Sequence, residues 1–474
     1  MQFIDGHWIE GQGDRFISIS PIDGQPVWEG NEASRDQVDQ AFAAASKALG
    51  QWAGLEVDER VGILEAFAKI VLEEKDTLGD AICREVGKPL KESIGEAGAV
   101  ASKLGLTLEA LQSRRSEETH ELGPRIGRIH YRPLGVVSVF GPFNFPMHIA
   151  NGQILPALLC GNTVVFKPSE LTPWCAEKMV QLWDRAGLPP GVLNLVQGGI
   201  SPGQSILRQR DLRGLFFTGS RDTGIKLRET LAPRLEVLLA LELGGNNPLV
   251  IHNPESLQEA VETTIQSAFV SSGQRCTCVR RLIVTEPSEA FVDRLAEETR
   301  EISVGNPLTE DVMMGPLVHE RAANQAMAEQ ERLLASGATS IVRCEKHVAG
   351  EAYVTPGLID VTNCDAVTDD ELFGPLLQVT RVANLEEAIE VADRTEFGLS
   401  AGIICRERSD FERFRSGVSA GLVNWNLPTT GASGRLPFGG LGHSGNHRPA
   451  GFLTVDFCNQ AVAELEPHSP EDAS

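Results

Sequence analysis

The sequence predicts an α/β protein of two lobes, on three observations. Its 474 residues exceed the ~100–200 of one typical domain. From about residue 135, short apolar runs ending in Gly or Pro alternate with helical candidates, as buried parallel strands do in βαβ units. After residue 246 a second such series begins, at no fixed repeat period.

The first hundred residues read as helical. Ser34 and Gln37 form a capping box, Val38, Phe42, Ala45 and Leu49 follow at helical spacing, and Gly50 is the expected stop. A second helix places Val61, Leu64, Phe67 and Val71 on one face. Residues 119–134, "THELGPRIGRIHYRPL", are polar with alternating apolar positions and predict an exposed hairpin arm. Strands follow at "VVSVFG", "TVVFKP", "VLNLVQG", "LRGLFFTG" and "VLLALELGG". Between them a helix is expected over 173–186, with Thr172 as N-cap, Pro173 in its first turn and Gly187 as stop. The second series comprises "NPLVIH", "RRLIVTE", "LLQVTRV" and "AGIICR", with helical "NLEEAIEVADRT" at 384–395. The tail "EPHSPEDAS" has the composition of a disordered segment.

Lys and Arg number 42 against 65 Asp and Glu, a net charge of −23. With no Lys/Arg run to offset that field, nucleic acid and anionic membrane surfaces are not expected partners. Nine cysteines without framework spacing point to a reducing compartment. "MQFIDGHWIEGQGD" lacks the apolar core of a secretory signal, and no run approaches ~18 apolar residues, so a cytoplasmic, soluble protein is expected.

Candidate sites narrow quickly. "GSRDTGIK" is not a P-loop, because Lys226 comes one residue late and no Ser/Thr follows it. "FFTGSRDTG" remains a strand-to-helix turn whose free N–H groups suit phosphate oxygens. His443 and His447 with Cys276 and Cys278 offer four potential ligands, but C-x-C is too tight for a zinc pattern and no metal is expected. "SSGQRCTCVRR" supplies a reactive thiol, and Glu242 closes a buried apolar run, where desolvation lifts a carboxylate toward the range of a base.

At these residues the chain resembles the NAD(P)-dependent aldehyde dehydrogenase superfamily, over about residues 3–460. The landmarks stand in order: "GPFNFP", "VFKPSELTP", "FTGS", "LELGG", "GQRCT", "ELFGP", "LVNWN" and "PFGGLGHSG". "GNNPLVI", "QSAFVSSGQRCTCVRRL" and "GLGHSGNHRPAGF" are similar to the branch that oxidises N-succinylglutamate 5-semialdehyde in the arginine succinyltransferase pathway. Phe143, where many relatives have Trp, and the "GGNNP" variant are departures that leave the implied chemistry untouched.

The resemblance implies a Rossmann-type NAD-binding lobe (1–118 and 135–243), a catalytic α/β lobe (244–450), and an oligomerisation arm and tail (119–134 and 451–474). It implies Cys276 as nucleophile, passing through a thiohemiacetal and a thioester, Glu242 as the hydrolytic base, and Asn144 as oxyanion partner. Lys167 and Glu170 would hold the adenosine ribose, with Glu170 favouring NAD over NADP. Gly219, Ser220, Arg221, Asp222, Thr223 and Gly224 would face the pyrophosphate, and Glu371 and Phe373 the nicotinamide side. An anionic aldehyde needs cationic partners, for which Arg275, His447 and Arg448 are candidates beside structural ion pairing. A homodimer or dimer of dimers is implied, and Cys278 is expected to be a buried structural cysteine. Other carboxylated semialdehydes (glutamate, succinate, aminoadipate), a CoA-acylating variant, a non-catalytic protein of the same fold and a thiol hydrolase stay open.

Overall fold

The computed structural model describes residues 1–309 and 311–467. The tail expected to be disordered starts at Glu466, so most of it lies outside the described residues. The first thirty-one residues are not helical but form four strands. Asp5 and Gly6, with φ of 49° and 79°, make a two-residue turn between Gln2–Ile4 and His7–Ile9. Phe3 pairs antiparallel with Leu195, adding this hairpin to the edge of a sheet. The capping box is present: Gln37 N donates to Ser34 Oγ (3.2 Å) and Ser34 N to Gln37 Oε1 (3.0 Å). The helix does not stop at Gly50 but runs Arg35–Ala53 to a cap at Gly54. Buried Trp52, donating to the carbonyl of Leu158 (3.0 Å), anchors the extra turn against the ~1 kcal/mol that a helical glycine costs. In Val57–Glu73 the buried positions are Arg60, Leu64, Phe67 and Val71, with Val61 only half-buried. The Arg60 guanidinium is satisfied by the carbonyls of Leu55 (2.6 Å) and Leu159 (3.0 Å).

Two seven-stranded sheets organise the chain. The first runs in the order Leu238–Leu243, Leu212–Gly219, Val136–Phe140, Thr163–Lys167, Leu193–Leu195, Gln2–Ile4, His7–Ile9, and its first five strands are parallel. Alternate residues serve opposite faces. Val137, Val139, Phe166 and Phe216 meet the helices Val57–Glu73, Leu90–Arg114, His148–Leu159 and Pro173–Arg185. Val136, Phe140, Val165, Leu215 and Phe217 join Val38 and Phe42 of Arg35–Ala53. The second sheet runs Thr339–Val342, Gly357–Asp360, Leu376–Val382, Val279–Thr285, Asn247–His252, Ser400–Cys405, Leu422–Trp425, with only the first strand antiparallel. Leu249, Ile251, Leu282 and Val284 fill one face, Val250, Ile283, Ala401 and Ile403 the other.

Glu118–Glu121 and Arg125–Pro133 form the arm hairpin, and Asn459–Pro467 pairs with Arg125–Pro133 along its whole length. Residues 444–446 return to the first lobe and dock on the edge strand Leu238–Leu243. Leu243 N donates to the Ser444 carbonyl (3.0 Å). The Asn446 side chain acts as a piece of strand, accepting from Leu241 N (2.7 Å) and donating to the Leu239 carbonyl (3.1 Å). No helix among the described residues is long and apolar enough to cross a membrane.

Candidate active site

The thiol loop opens where the helix Leu257–Phe269 ends. Ser271, Ser272 and Gly273 are all left-handed (φ 51°, 56° and 72°), which reverses the chain before it enters Val279–Thr285. Left-handed serines cost of order 1–3 kcal/mol each and persist only where neighbours hold them. Ser272 Oγ donates to the Gly315 carbonyl (2.8 Å). Ser271 gives both its N–H (3.3 Å) and its hydroxyl to Glu92 on the helix Leu90–Arg114. At Gly273 a Cβ would come within 2.4 Å of the Gly374 carbonyl, so only glycine fits before the thiol. Asn247 Nδ2 donates to the carbonyls of both Cys276 (2.7 Å) and Cys278 (2.8 Å), fixing the loop's far end. Cys278 is fully buried with its Sγ toward the Val270 carbonyl (3.9 Å), away from the open site.

Cys276 is half-buried, and its thiol faces the Glu242 carboxylate. Burial, with Glu242 and Glu371 adding negative charge, pushes the thiol well above its ordinary range, so the resting sulfur is protonated. Glu242, 2% exposed at the end of its strand, is pushed up to about 8 by burial, with the thiol pulling down and Glu371 pushing up. Its Oε1 has no partner among the described residues. Asn144 is oriented from both sides: its Oδ1 accepts from Phe145 N (3.1 Å) and its Nδ2 donates to the Gln274 carbonyl (2.9 Å). One Nδ2 proton stays unused, since an amide carries two. The Cys276 N–H likewise makes no hydrogen bond to protein among the described residues. Two donors therefore border a thiol whose neighbour is a free carboxylate oxygen.

A dinucleotide has matching features. Ser220 caps the helix Arg221–Leu231 after the strand Leu212–Gly219, leaving Gly219 to Gly224 as a strand-to-helix turn with first-turn N–H groups. Thr223 N donates to Ser220 Oγ (3.4 Å), and Gly224 packs on Leu243 with no room for a Cβ. Arg221 spans Asp222 (3.4 Å) and Asp370 (3.2 Å). Lys167 is buried at its strand end, and among the described residues its Nζ has the Pro168 carbonyl as its one acceptor (2.9 Å), while Glu170 stands exposed beyond it. Glu371 sits in the notch left by Gly244, where a Cβ would overlap its carboxylate, and its buried Oε1 accepts no hydrogen bond among the described residues, with the Arg280 guanidinium 3.8 Å away as an ion-pair partner. Phe373 meets Phe143 edge-on (5.8 Å). A buried carboxylate oxygen with spare acceptor capacity, beside the close approaches at Gly224 and Gly244, fits a bound dinucleotide.

The three substrate candidates are not brought together as an open cluster. Arg275 pairs with Glu92 (2.7 Å) and lies over the Phe145 ring (5.2 Å). Arg448 gives its guanidinium to the Gly439 carbonyl, and His447 is exposed. The stretch Gly417–Gly421 has the G-x-S-x-G spacing of a serine nucleophile. It follows a helix and precedes a strand, the reverse of a nucleophile elbow, and Ser419 N is tied to Asp393 (2.7 Å).

Three supporting residues escaped the reading of the sequence. Lys88 and Glu96 form a fully buried ion pair. Lys88 Nζ donates to the Asn144 carbonyl (3.1 Å), and Glu96 Oε1 accepts from Met147 N and His148 N (3.1 Å each). With Glu92 on the thiol loop, the start of one helix thus sets both halves of the site. The four-residue spacing of Glu92 and Glu96 in "KPLKESIGE" is the signal that marks one helix face, with Lys88 two residues ahead of the helix.

The sequence profile of the Aldehyde dehydrogenase family matches residues 8–462. An N-succinylglutamate 5-semialdehyde dehydrogenase of Paraburkholderia xenovorans (strain LB400) is 46% identical over 467 residues, covering 98% of this chain and 96% of that one. One of the same name from Escherichia coli (strain K12) is 44% identical, with 98% and 96% covered. Betaine aldehyde dehydrogenase from Staphylococcus aureus, solved in complex with NAD+, superposes with a TM-score of 0.93 at 25% identity, over 99% of this chain and 95% of that one. An E. coli enzyme described as NADP dependent superposes with a TM-score of 0.94 at 29% identity, over 99% and 98%. By profile, by relatives along its whole length and by fold, the chain belongs to the aldehyde dehydrogenase family.

Proposed function

We propose that the protein oxidises N-succinyl-L-glutamate 5-semialdehyde to N-succinyl-L-glutamate with NAD, as a cytoplasmic step of arginine catabolism. The observation that carries the chemistry is the contact between the Cys276 thiol and the buried, partly unpaired carboxylate of Glu242. The substrate assignment is supported by relatives of that name at 44–46% identity over nearly the full chain.

Glu242 takes the thiol proton, which burial would otherwise keep on sulfur, and passes it to solvent. The Cys276 thiolate forms a bond to the aldehyde carbon, and the carbonyl electrons move onto oxygen. The spare Nδ2 proton of Asn144 and the Cys276 N–H stabilise that alkoxide; each such donor is worth about 10²–10³ in rate. Lys167, Glu170, the turn Gly219 to Gly224, Glu371 and Phe373 would hold NAD, which would supply the hydride acceptor by which the carbon bound to Cys276 goes from the thiohemiacetal to the thioester level. Glu242 then removes a proton from water, whose oxygen adds to the thioester. The C–S bond breaks, returning the thiolate and releasing the free acid. Glu170 accepts from a ribose 2′-OH and repels a 2′-phosphate, favouring NAD. The arm, with strand edges at Glu118–Glu121 and Asn459–Pro467, supports pairing of subunits as a homodimer or dimer of dimers.

The test is kcat/KM with NAD and with NADP for the semialdehydes of N-succinylglutamate, glutamate, succinate and aminoadipate, with product identified. N-succinylglutamate 5-semialdehyde should lead by at least ~10-fold, the scale of one charge-assisted contact, and yield free acid without CoA. Another semialdehyde leading would replace the substrate, and CoA dependence would replace the deacylation step.

A further inference from the structure

The helix Leu90–Arg114 carries a lysine that the chemistry above does not use. Lys103 is 8% exposed, and among the described residues its ammonium has no hydrogen-bond or ion-pair partner. Lysines are almost never this buried without a counter-ion, and this chain has 65 acidic residues from which to supply one. Burial alone lowers the ammonium to about 8, with no carboxylate near enough to hold it up. Its end lies in a notch made by Gly152, where a Cβ would stand 3.0 Å from Cε and 3.5 Å from Nζ.

His148, one turn before Gly152 on the helix His148–Leu159, faces the same place. The ring lies against the backbone of Ala99, and its buried Nδ1 has no hydrogen-bond partner among the described residues. Burial and the ammonium groups of Lys103 and Lys88 push His148 down to about 3. Lys88 is neutralised by Glu96, as Arg275 is by Glu92, but nothing neutralises Lys103. What this cleft lacks is a negative charge.

Its position supplies the rest. Along Leu90–Arg114, Glu92 holds the thiol loop, Glu96 the Asn144 loop, Ala99 touches His148, and Lys103 comes next. Seven residues from Glu96, which holds the Asn144 loop, to Lys103 advance about 10 Å along the helix axis at helical rise. In N-succinylglutamate 5-semialdehyde eight bonds separate the aldehyde carbon from the succinyl carboxylate carbon, about 10 Å at 3.8 Å per three extended bonds. We propose that Lys103, in the notch at Gly152 and flanked by His148, is the subsite for the carboxylate at the far end of the substrate. This rests on the substrate assigned above. A bound carboxylate gives the ammonium its missing partner, and the relieved repulsion lets His148 Nδ1 take up a proton and donate.

The test compares kcat/KM for N-succinylglutamate 5-semialdehyde and N-acetylglutamate 5-semialdehyde, which differ in that far carboxylate, in the NAD-loaded enzyme. Lys103→Met keeps the apolar stem and removes the charge. The succinyl-to-acetyl ratio should fall about tenfold to a hundredfold through KM, the worth of one charged hydrogen bond. Gly152→Ala, which crowds the ammonium without altering charge, should lower the same ratio less, and it serves if Lys103→Met does not accumulate. A structural lysine would depress both substrates and leave the ratio intact, which overturns the subsite while the substrate assignment stands. A wild type that does not prefer the succinyl substrate removes both.

Discussion

Glu85 and Glu242 both lie in the first lobe with at most 2% of their surface exposed, yet their surroundings treat them in opposite ways. Glu85 faces the start of the helix Pro173–Arg185, where Trp174 N donates to Oε1 (2.9 Å) and Cys175 N to Oε2 (2.7 Å). Burial raises it to about 7, with those donors pulling it back. Glu242 rises to about 8 through burial, with the Cys276 thiol pulling it back and Glu371 pushing it further. Where an acid serves as a helix cap, the backbone fills its lone pairs. Where it faces a thiol, one oxygen is left empty. A buried acid with a vacant lone pair is a proton acceptor in waiting; one with two amide donors is architecture.

The sharpest way to break the contrast is Glu242→Gln. Steady-state turnover should fall by about 10²–10⁴, with a burst of NADH followed by a stall and an acyl-enzyme visible by mass spectrometry. Normal turnover would remove Glu242 from the mechanism. Glu85→Gln should do the reverse, lowering unfolding free energy by about 1–3 kcal/mol as one amide donor loses its acceptor, read by denaturant titration, with kcat kept within about twofold. A collapse of kcat in that variant would erase the distinction. The smallest effect is in stability against pH. Both folded-state values lie above the unfolded value of about 4.3, so the folded state binds the extra protons. The stabilisation is complete below the unfolded value and is lost as pH rises through about 7 for Glu85 and about 8 for Glu242. Tm should therefore drop from pH ~5 to ~8, and Glu242→Gln should flatten the upper part of that drop; an identical curve would show that Glu242 is not buried as a shared proton holder.

Much of this architecture is legible in the residues. Continuous apolar runs such as "VVSVF" and "PLVIH" announce parallel strands because both faces are covered, and each sits inside a sheet. The N-terminal strands escape a periodicity reading because Gln2–Ile4 and His7–Ile9, at three residues each, are too short to carry a period, although the Asp5-Gly6 turn signal is present. Gly50 misled for a different reason: propensity favoured a stop, and Trp52 packing overrode it. At the site, Cys276, Glu242 and Asn144 are visible as motifs and the structure gathers them. The spacing of Glu92 and Glu96 puts both on one helix face, but which loops that face and the preceding Lys88 meet is set by tertiary packing that the local spacing does not record. Arg275 shows the converse, since its proximity to the thiol was readable but its bond to Glu92 was not.

The docking of residues 444–446 on Leu238–Leu243 also dictates an order of events during synthesis. The strand bearing Glu242 is covered by a segment about 200 positions later, as the bond from Ser444 Oγ to the Gly244 carbonyl shows. At ~5–20 residues per second a ribosome needs about 10–40 s to make that stretch. Through that interval the nascent first lobe presents an open strand edge next to its most reactive carboxylate. A chain released before residue 440 would hold every strand of both large sheets and still leave that edge unguarded. A segment translated late, after every strand of both large sheets, is therefore the latch that closes the site begun two hundred residues before.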